Sequence, residues 1–416
     1  MKIDRVEATT IEDTRGRPTI EVTLEAQQGS TLHSNSQGRT LLRATASVPS
    51  GKSTGSHEAL ELRDSESGSV EQAIENVQFE IARAIMGREF ASADELDAFL
   101  IELDGTPDKS RLGANALLAV SIAAQRLFAQ AEGVPLWRAI ATRAGTTPKA
   151  PRLYVNVMNG GAHADFKLPF QEYLLVVEGK TSEALPIAHE AFKKLGERLS
   201  STELEASGVP MGDEGGYAPT FSDLQQPFKL LAELVQEFPG TSIAIDAAAS
   251  ELYRDGAYHL LDKTYTPDEL LALYVHAASA LPIHSIEDPF AENASEDFTQ
   301  ITAALGDKIL IIGDDLTVTD PARVKKAAER KEINAVLIKP NQIGTVKETI
   351  EAVRATYAAG FAAVASHRSG ETSDTFIADF AYGIGAHGLK AGGFAQSERV
   401  AKYDRLLAIE REAGAV

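Results

Sequence analysis

The chain has 416 residues, 44% of them hydrophobic, with no cysteine and a formal net charge of −20 at pH 7. The lack of cysteine excludes disulfides, thiolate metal sites, iron–sulfur clusters and a cysteine nucleophile. An acidic surface without a basic stripe is unsuited to nucleic acid and to anionic membranes, so we expect neither as a partner.

The first part of the chain reads as strands followed by helices. Alternating residues predict strands at Ile3–Ile11, Thr19–Ala26 and Ala44–Val48, with a long hairpin tip at residues 28–40. Helical periodicity predicts four helices, at Val70–Met86, Ser92–Leu103, Asn115–Glu132 and Leu136–Arg143. We therefore expect an α+β domain over residues 1–144, followed by a linker at 145–151.

The segment SVPSGKSTG, residues 47–55, has the ending of a phosphate-binding P-loop. That motif needs a glycine five positions before Gly51, but Ala46 stands there. Pro49 also removes a backbone N–H from the loop. The sequence therefore argues against a P-loop NTPase.

After the linker, short apolar runs alternate with helical segments. The runs are Ser242–Ile245, Ile283–Ile286, Ile309–Ile312, Ala335–Ile338, Phe361–Ala365 and His387–Leu389. Helix start signals stand between them at Thr266–Glu269, Thr345–Glu348 and Asp320-Pro321. This alternation predicts a parallel sheet and, over residues 152–416, a (β/α)8-type barrel. A doubly wound sheet is the alternative, although no G-x-G-x-x-G follows any of these runs.

Ionisable residues end these runs, at Asp246, Glu287-Asp288, Asp314-Asp315, Lys339, His367-Arg368 and Lys390. In a barrel they would form one ring at the face that carries active sites. Alone, each has a simpler interpretation: the aspartates as helix caps, the lysines as solvated side chains, the histidine as structural. Together they favour a site.

The types of residue in this ring predict its chemistry. Asp246, Glu287 and Asp314 offer hard oxygen ligands, for which Mg²⁺ is the expected ion. A nearby divalent cation and a second lysine would each lower the pKa of Lys339 or Lys390 and make one of them a neutral base. A lysine base facing bound Mg²⁺ suits proton abstraction next to a carboxylate.

The sequence resembles the enolase family over nearly its whole length. The motifs that carry the resemblance are Asp13–Thr19, Val48–Gly55, Asn159–Ala164, Gly212–Gly216, Ser285–Phe290, Gly313–Thr319, Leu337–Gly344 and Ser366–Thr372. The resemblance implies the enolase fold, a barrel with an N-terminal capping domain. It also implies reversible dehydration of 2-phosphoglycerate to phosphoenolpyruvate through a Mg²⁺-stabilised enediolate.

The resemblance further implies a role for each matching residue. Lys339 would remove the C2 proton and Glu214 would act as the general acid, supported by His163, Glu172 and Gln171. Lys390 would bind the substrate carboxylate, Arg368 and Ser369 the phosphate, and His367 would line the pocket. Asp246, Glu287 and Asp314 would hold one Mg²⁺. Ser53, on a mobile loop, would bind a second Mg²⁺ shared with the phosphate.

Several positions depart from the family pattern. Lys52 stands where alanine is more common, and we expect it either to attract an anion or to be simply solvated. Phe394 and Gln396 replace proline and arginine, and Asp165–Lys167 alters the loop after His163. A homodimer is expected, although Thr9, Ala408 and Arg411 alter the usual contacts between subunits.

Residues 1–16 lack the apolar core of a secretory signal, and the longest apolar stretch, Ala116–Ala124, is too short to span a bilayer. We expect a soluble, cytoplasmic protein, with a secondary presence at the cell surface or outside the cell left open. Two alternatives remain at this point. One is a different metal-dependent acid-abstracting barrel enzyme, and the other is a catalytically weak enolase-like binding protein.

Overall fold

A computed structural model describes residues 1–27, 41–65, 67–164, 167–201 and 209–414. Its N-terminal part is an antiparallel three-stranded sheet, ordered β1-β2-β3, with helices packed on it. The strands are β1 (Lys2–Glu12), β2 (Pro18–Gln27) and β3 (Leu41–Ser47). The helices are α1 (Glu71–Glu75), a π-helical turn (Asn76–Ile81), α2 (Ala82–Ile85), α3 (Ala93–Asp104), α4 (Ala114–Glu132) and α5 (Leu136–Ala144).

The central helix of this part is α4, which is buried over nearly its whole length. Its sequence is rich in alanine and leucine on every face, which is typical of a helix enclosed on all sides. It packs against β2 and β3 on one side and against the 3₁₀ turn Pro340–Gln342, in the second part of the chain, on another. The predicted hairpin tip, residues 28–40, lies outside the described residues.

The second part is a closed barrel with strand order β10-β11-β12-β13-β14-β4-β5-β6. Its strands are β4 (Arg152–Asn159), β5 (Glu172–Val177), β6 (Thr241–Asp246), β10 (Ile283–Glu287), β11 (Leu310–Gly313), β12 (Ala335–Ile338), β13 (Ala362–Ser366) and β14 (Gly388–Lys390). A small separate sheet follows β6 in the chain, with β7 (Tyr253–Arg254), β8 (Ala257–Leu260) and β9 (Lys263–Tyr265). The predicted barrel is confirmed.

Helices surround the barrel. They are α6 (Thr181–Ser201), α7 (Gln225–Glu237), α8 (Pro267–Ala280), α9 (Ser295–Leu305), α10 (Pro321–Arg330), α11 (Val346–Ala358), α12 (Phe376–Gly383) and α13 (Ser397–Gly414), with 3₁₀ turns at Gly161–Ala164, Ala249–Leu252 and Pro340–Gln342. The predicted capping box at Thr266 and the proline-led helix start after Asp320 are both present. At Thr345 the hydroxyl accepts from the Glu348 amide, which is the first half of the predicted box.

One strand departs from the parallel pattern. β5 pairs antiparallel with both β4 and β6, and neither β4 nor β5 was among the predicted strands. Because β5 runs in the opposite direction, its first residue, Glu172, pairs with Asp246, the last residue of β6. The antiparallel strand therefore delivers its N-terminal residue to the barrel end where the other strands deliver their C-terminal ones.

A half-buried ion pair joins the N-terminal helix α4 to the barrel. Arg126 donates to both carboxylate oxygens of Asp374, at 2.6 and 2.7 Å. Asp374 also accepts from the backbone N–H of Ser47 at 3.0 Å, at the end of β3. Two hydrogen bonds in a fixed fork give direction as well as strength, so this contact orients the segment that begins at Ser47.

A histidine pair at the opposite end of the barrel predicts acid sensitivity of the fold. The Nε2 atoms of His284 and His387 lie 2.9 Å apart, and Arg152 lies 3.5 Å from Nδ1 of His387. Burial, then Arg152, lowers the pKa of His387 to about 4, while Glu178 opposes the shift. The unfolded chain, with a histidine pKa near 6.5, therefore takes up a proton between pH 6.5 and 4 that the folded chain does not.

We expect the urea midpoint to fall as the pH drops from about 7 to 5, and to fall less in His387→Gln. At pH 5 the acid-induced loss of unfolding free energy should be smaller in His387→Gln than in wild type by about 1 kcal/mol, a value reduced to allow for the partial exposure of His387. His57→Gln, at an exposed position, is the matched control. An equal fall in wild type and His387→Gln would contradict the prediction.

Candidate active site

One pocket opens at the C-terminal ends of the barrel strands and collects nearly all of the predicted site residues. Its lining includes Ser53, His163, Gln171, Glu172, Glu214, Asp246, Asp314, Lys339, His367, Arg368, Ser369 and Lys390. Ser53 comes from the N-terminal part of the chain, and the others come from the barrel. Glu287, the remaining predicted ligand, is buried at the end of β10 and reaches the pocket through its contact with Lys390.

Lys390 spans the mouth of the barrel from the end of β14. Its Nζ lies 3.0 Å from Asp246 Oδ2, 2.8 Å from Glu287 Oε2 and 3.1 Å from Glu172 Oε1. Burial lowers the pKa of Lys390, but the three carboxylates outweigh it and hold that pKa well above its ordinary value. Lys390 is therefore a permanent cation in this arrangement.

Lys339 follows β12 and forms an ion pair with Asp314, which follows β11. Burial lowers the pKa of Lys339, yet the Asp314 carboxylate raises it more, so the net shift is upward. The sequence predicted a pKa lowered by a bound divalent cation and by the second lysine. Lys390 does lower the pKa of Lys339, but Asp314 outweighs it. Asp314 also accepts from Gln342 Nε2 at 2.8 Å, so its position is fixed from two sides.

A cluster of acids and histidines occupies the opposite wall. The ligand atoms of Glu172, Glu214 and His367 all lie within 4.8 Å of one another. Glu214 accepts from Asn156 Nδ2 at 3.1 Å, and its Oε1 lies 3.5 Å from His163 Nε2. Burial, reinforced by the Glu214 carboxylate, raises the pKa of Glu172 well above its ordinary value. Burial raises the pKa of Glu214 too, but His163 and His367 outweigh it and hold that pKa well below its ordinary value, so the pKa values of the two glutamates are pushed apart.

A fully buried arginine of the C-terminal helix sets the protonation pattern of this cluster. Arg399 donates to Nδ1 of His367, so the other ring nitrogen, Nε2, carries the proton and faces Glu214 at 3.9 Å. Burial lowers the pKa of His367 well below its ordinary value, which keeps the ring neutral. Arg399 also donates to the carbonyls of Ser369 and Asp213, at 2.8 and 2.9 Å. It thus joins two loops of the pocket.

The predicted phosphate-binding residues lie together beneath the loop that carries Ser53. Arg368 donates to Glu58 at 2.9 and 3.1 Å and to the Ser53 carbonyl at 3.2 Å. Arg15 lies 3.3 Å from the Ser369 hydroxyl. A Cβ on Gly51 would lie 2.0 Å from the Arg368 guanidinium, so this approach of the loop requires glycine.

The residues present suit a divalent cation. Six carboxylates, from Glu172, Glu214, Asp246, Asp288, Asp314 and Asp315, line a pocket to which Lys339, Lys390 and Arg368 bring three cationic groups. Burial and then Asp246 raise the pKa of Glu287 well above its ordinary value, as expected where negative charge is incompletely neutralised. The donors are carboxylate oxygens, which Mg²⁺ prefers. Gln171 Oε1 and Glu172 Oε2 are also buried without a hydrogen bond within the described residues.

The three predicted metal ligands are not the tightest carboxylate cluster. Within the described parts of the chain, that cluster is Asp288, Asp314 and Asp315, whose oxygens lie within 4.8 Å of one another. Asp288 accepts from the backbone N–H groups of Asp314 and Asp315, both at 2.8 Å. Its carboxylate is therefore used to shape the loop that presents Asp314.

Sequence reasoning missed Glu58, Asn156 and Arg399. Asp288 belongs to the predicted ring of strand-end residues and Arg15 to the recognised motif Asp13–Thr19, but no separate role was assigned to either. Glu58 and Asn156 carry no local signal, because each meets its partner across more than fifty residues of chain.

Comparison with known proteins agrees with this geometry. The model of the enolase C-terminal TIM barrel domain matches residues 149–416, and that of the enolase N-terminal domain matches residues 3–140. The chain is 44% identical over 424 residues to the enolase of Methanopyrus kandleri, covering 99% of this chain and 96% of that one. It is 43% identical over 430 residues to enolase 1 of Methylococcus capsulatus, covering 99% and 98%.

This chain belongs to the enolase family.

Most of the residues that depart from the enolase pattern can be located in the structure. Phe394 stacks on His189 with ring centroids 3.8 Å apart, and Gln396 contacts the side chain of Arg399. Asp165 and Phe166 lie outside the described residues. Thr9 lies in β1, and Ala408 and Arg411 lie in α13. Within the described ranges, no helix is both long enough and apolar enough to cross a membrane.

Proposed function

We propose that this chain is a Mg²⁺-dependent lyase that interconverts 2-phosphoglycerate and phosphoenolpyruvate in glycolysis and gluconeogenesis. The observation that supports this best is the placement of Lys339 and Glu172 on opposite walls of one pocket. In the barrel order, β12 and β5 are four strands apart in either direction, so residues at their ends face each other. Glu214, the proposed acid, lies on the same wall as Glu172. A base and an acid on opposite walls suit an anti elimination, in which the proton and the hydroxyl leave from opposite faces of the substrate.

Lys339 is proposed as the base that takes the proton from C2. The electron pair left by that proton forms the double bond between C2 and C3, and the C3 hydroxyl leaves as water. Glu214 is proposed as the acid that gives this hydroxyl its proton. Its neighbour Glu172 would supply or share that proton, since the two carboxylates lie within 4.8 Å.

Asp246, Glu287 and Asp314 are proposed to hold Mg²⁺. Asp246 and Glu287 end β6 and β10, and Asp314 directly follows β11. These three strands lie in the barrel between the wall of Glu172 and the wall of Lys339. Bound there, Mg²⁺ would neutralise the negative charge that develops on the substrate carboxylate when the C2 proton leaves. Lys390 would bind the same carboxylate from the other side of the barrel mouth.

The remaining site residues are proposed to position the substrate. Arg368 and Ser369 would bind the phosphate, because a guanidinium and a hydroxyl meet at the loop beneath Ser53. His163, Gln171 and His367 would line the pocket, where their buried polar atoms are available for hydrogen bonds. Ser53 is proposed as a ligand of a second Mg²⁺.

The domain boundaries, the oligomeric state and the cellular location are also proposed. The chain would comprise an N-terminal domain at 1–144, a linker at 145–151 and a barrel domain at 152–416. It would form a homodimer or a higher homo-oligomer and act in the cytoplasm. The resemblance to the family supports each of these.

Phosphoenolpyruvate formation, followed by ultraviolet absorbance, tests the proposed reaction. We expect turnover of 2-phosphoglycerate with Mg²⁺, its loss in excess EDTA and its return when Mg²⁺ is restored. Circular dichroism in EDTA controls for unfolding. Failure of the folded, Mg²⁺-supplied protein to react would leave the alternative of a catalytically weak binding protein.

A further inference from the structure

Lys52 connects the loop that carries Ser53 to two loops of the barrel. Its Nζ donates to Asp213 Oδ2 at 2.8 Å and to the Ala162 carbonyl at 2.8 Å. We use "lid loop" for residues 50–55. The contact partners are far apart in the chain, and each belongs to a different glycine-rich segment.

Each loop joined by Lys52 carries a pocket residue next to the point of contact. Ser53 follows Lys52 in the lid loop, His163 follows Ala162, and Glu214 follows Asp213. The Asp213 oxygen that accepts from Lys52 also lies 3.6 Å from His163 Nδ1. A single ammonium group therefore fixes the spacing among three residues of the proposed site.

The other edge of the lid loop is held by different contacts. Arg368 donates to the Ser53 carbonyl at 3.2 Å, and just beyond the lid loop the Ser56 hydroxyl donates to Glu292 at 2.6 Å. Arg368 follows β13 and Glu292 follows β10, whereas Lys52 contacts the loop that carries Glu214. Lys52 thus completes the attachment of the lid loop across the pocket.

We propose that Lys52 is a positioning residue that latches the lid loop over the acid side of the pocket. The proposal rests on the proposed function. A latch is favoured over attraction of the anionic substrate, because the Asp213 carboxylate at 2.8 Å cancels most of the lysine charge. It is also favoured over simple solvation, because Nζ makes two hydrogen bonds to defined acceptors.

The expected effect is moderate, since the Lys52 side chain is 39% exposed and that of Asp213 30%. Partly exposed ion pairs are weak, so Lys52→Ala should raise KM for 2-phosphoglycerate by about fivefold, which corresponds to about 1 kcal/mol. The change in kcat should stay below about twofold, because the latch acts on closure and not on proton transfer.

The decisive experiment measures the effect of Lys52→Ala on KM in two backgrounds, the wild-type chain and the Asp213→Asn variant. A latch predicts that the fivefold effect on KM shrinks to less than about twofold once Asp213 has lost its charge. The same effect in both backgrounds would mean that Lys52 acts on the substrate through its charge, and this would overturn the latch. No effect in wild type would also overturn it. Lys193→Ala, on the surface of α6, is the charge-matched control.

Hydrogen exchange provides a readout that does not depend on turnover. Amides of the lid loop should exchange faster in Lys52→Ala and in Asp213→Asn than in wild type, and unchanged exchange would contradict the latch. Faster exchange in a protein that does not convert 2-phosphoglycerate would refute the proposed reaction and leave the latch in place.

Discussion

Lys339→Ala is expected to lower kcat for 2-phosphoglycerate by about 10²- to 10⁴-fold, the range for loss of a positioned general base. Lys390 cannot replace it, because its Nζ is held by three carboxylates. Steady-state kinetics at saturating Mg²⁺ measure the loss. Exchange of the C2 proton with deuterated solvent should disappear together with turnover.

The control for Lys339 must separate chemistry from folding. Lys339→Met keeps most of the buried chain and removes only the ammonium, so it should lose as much activity as the alanine variant. Lys326→Ala, on α10 outside the pocket, should keep full activity. Activity within tenfold of wild type in both Lys339 variants would show that Lys339 is not the base.

Glu214→Gln is expected to lower kcat by about 10²- to 10⁴-fold while exchange at C2 continues. The acid acts at C3 and the base at C2, so loss of the acid blocks departure of the hydroxyl without preventing removal of the proton. Proton NMR in deuterated water measures both quantities. A variant that loses exchange as completely as turnover would contradict the separate role of Glu214.

Glu172→Gln is the matched comparison for Glu214. Burial and the Glu214 carboxylate raise the pKa of Glu172, and two buried carboxylates so close together titrate as a pair. We expect the Glu172 variant to retain more turnover than the Glu214 variant. A larger loss in Glu172→Gln, again with exchange preserved, would assign the acid to Glu172.

The strand-end ring could be predicted because the barrel repeats one simple unit. Each βα unit has a short apolar strand, and the residue that follows it lies at the same end of the barrel as its counterparts. Asp246, Lys339 and Lys390 follow this rule. Glu172 does not, because β5 runs antiparallel and presents its first residue, a direction that no local pattern in the sequence reveals.

Long-range contacts account for most of what the sequence could not predict. Glu58 meets Arg368 because the N-terminal part of the chain packs on the barrel, and Arg399 meets His367 because α13 packs back against the loop after β13. The direction of the Lys339 pKa shift has the same origin. It depends on which neighbour is nearest, and the nearest is the Asp314 carboxylate.

A proton NMR time course of 2-phosphoglycerate in deuterated water with wild-type protein and Mg²⁺ tests the proposed reaction most directly. It follows the C2 proton and the vinyl protons of phosphoenolpyruvate in one sample. We predict loss of the C2 signal and growth of the vinyl signals, both stopped by EDTA. A folded protein with Mg²⁺ that leaves both signals unchanged would contradict the proposed reaction.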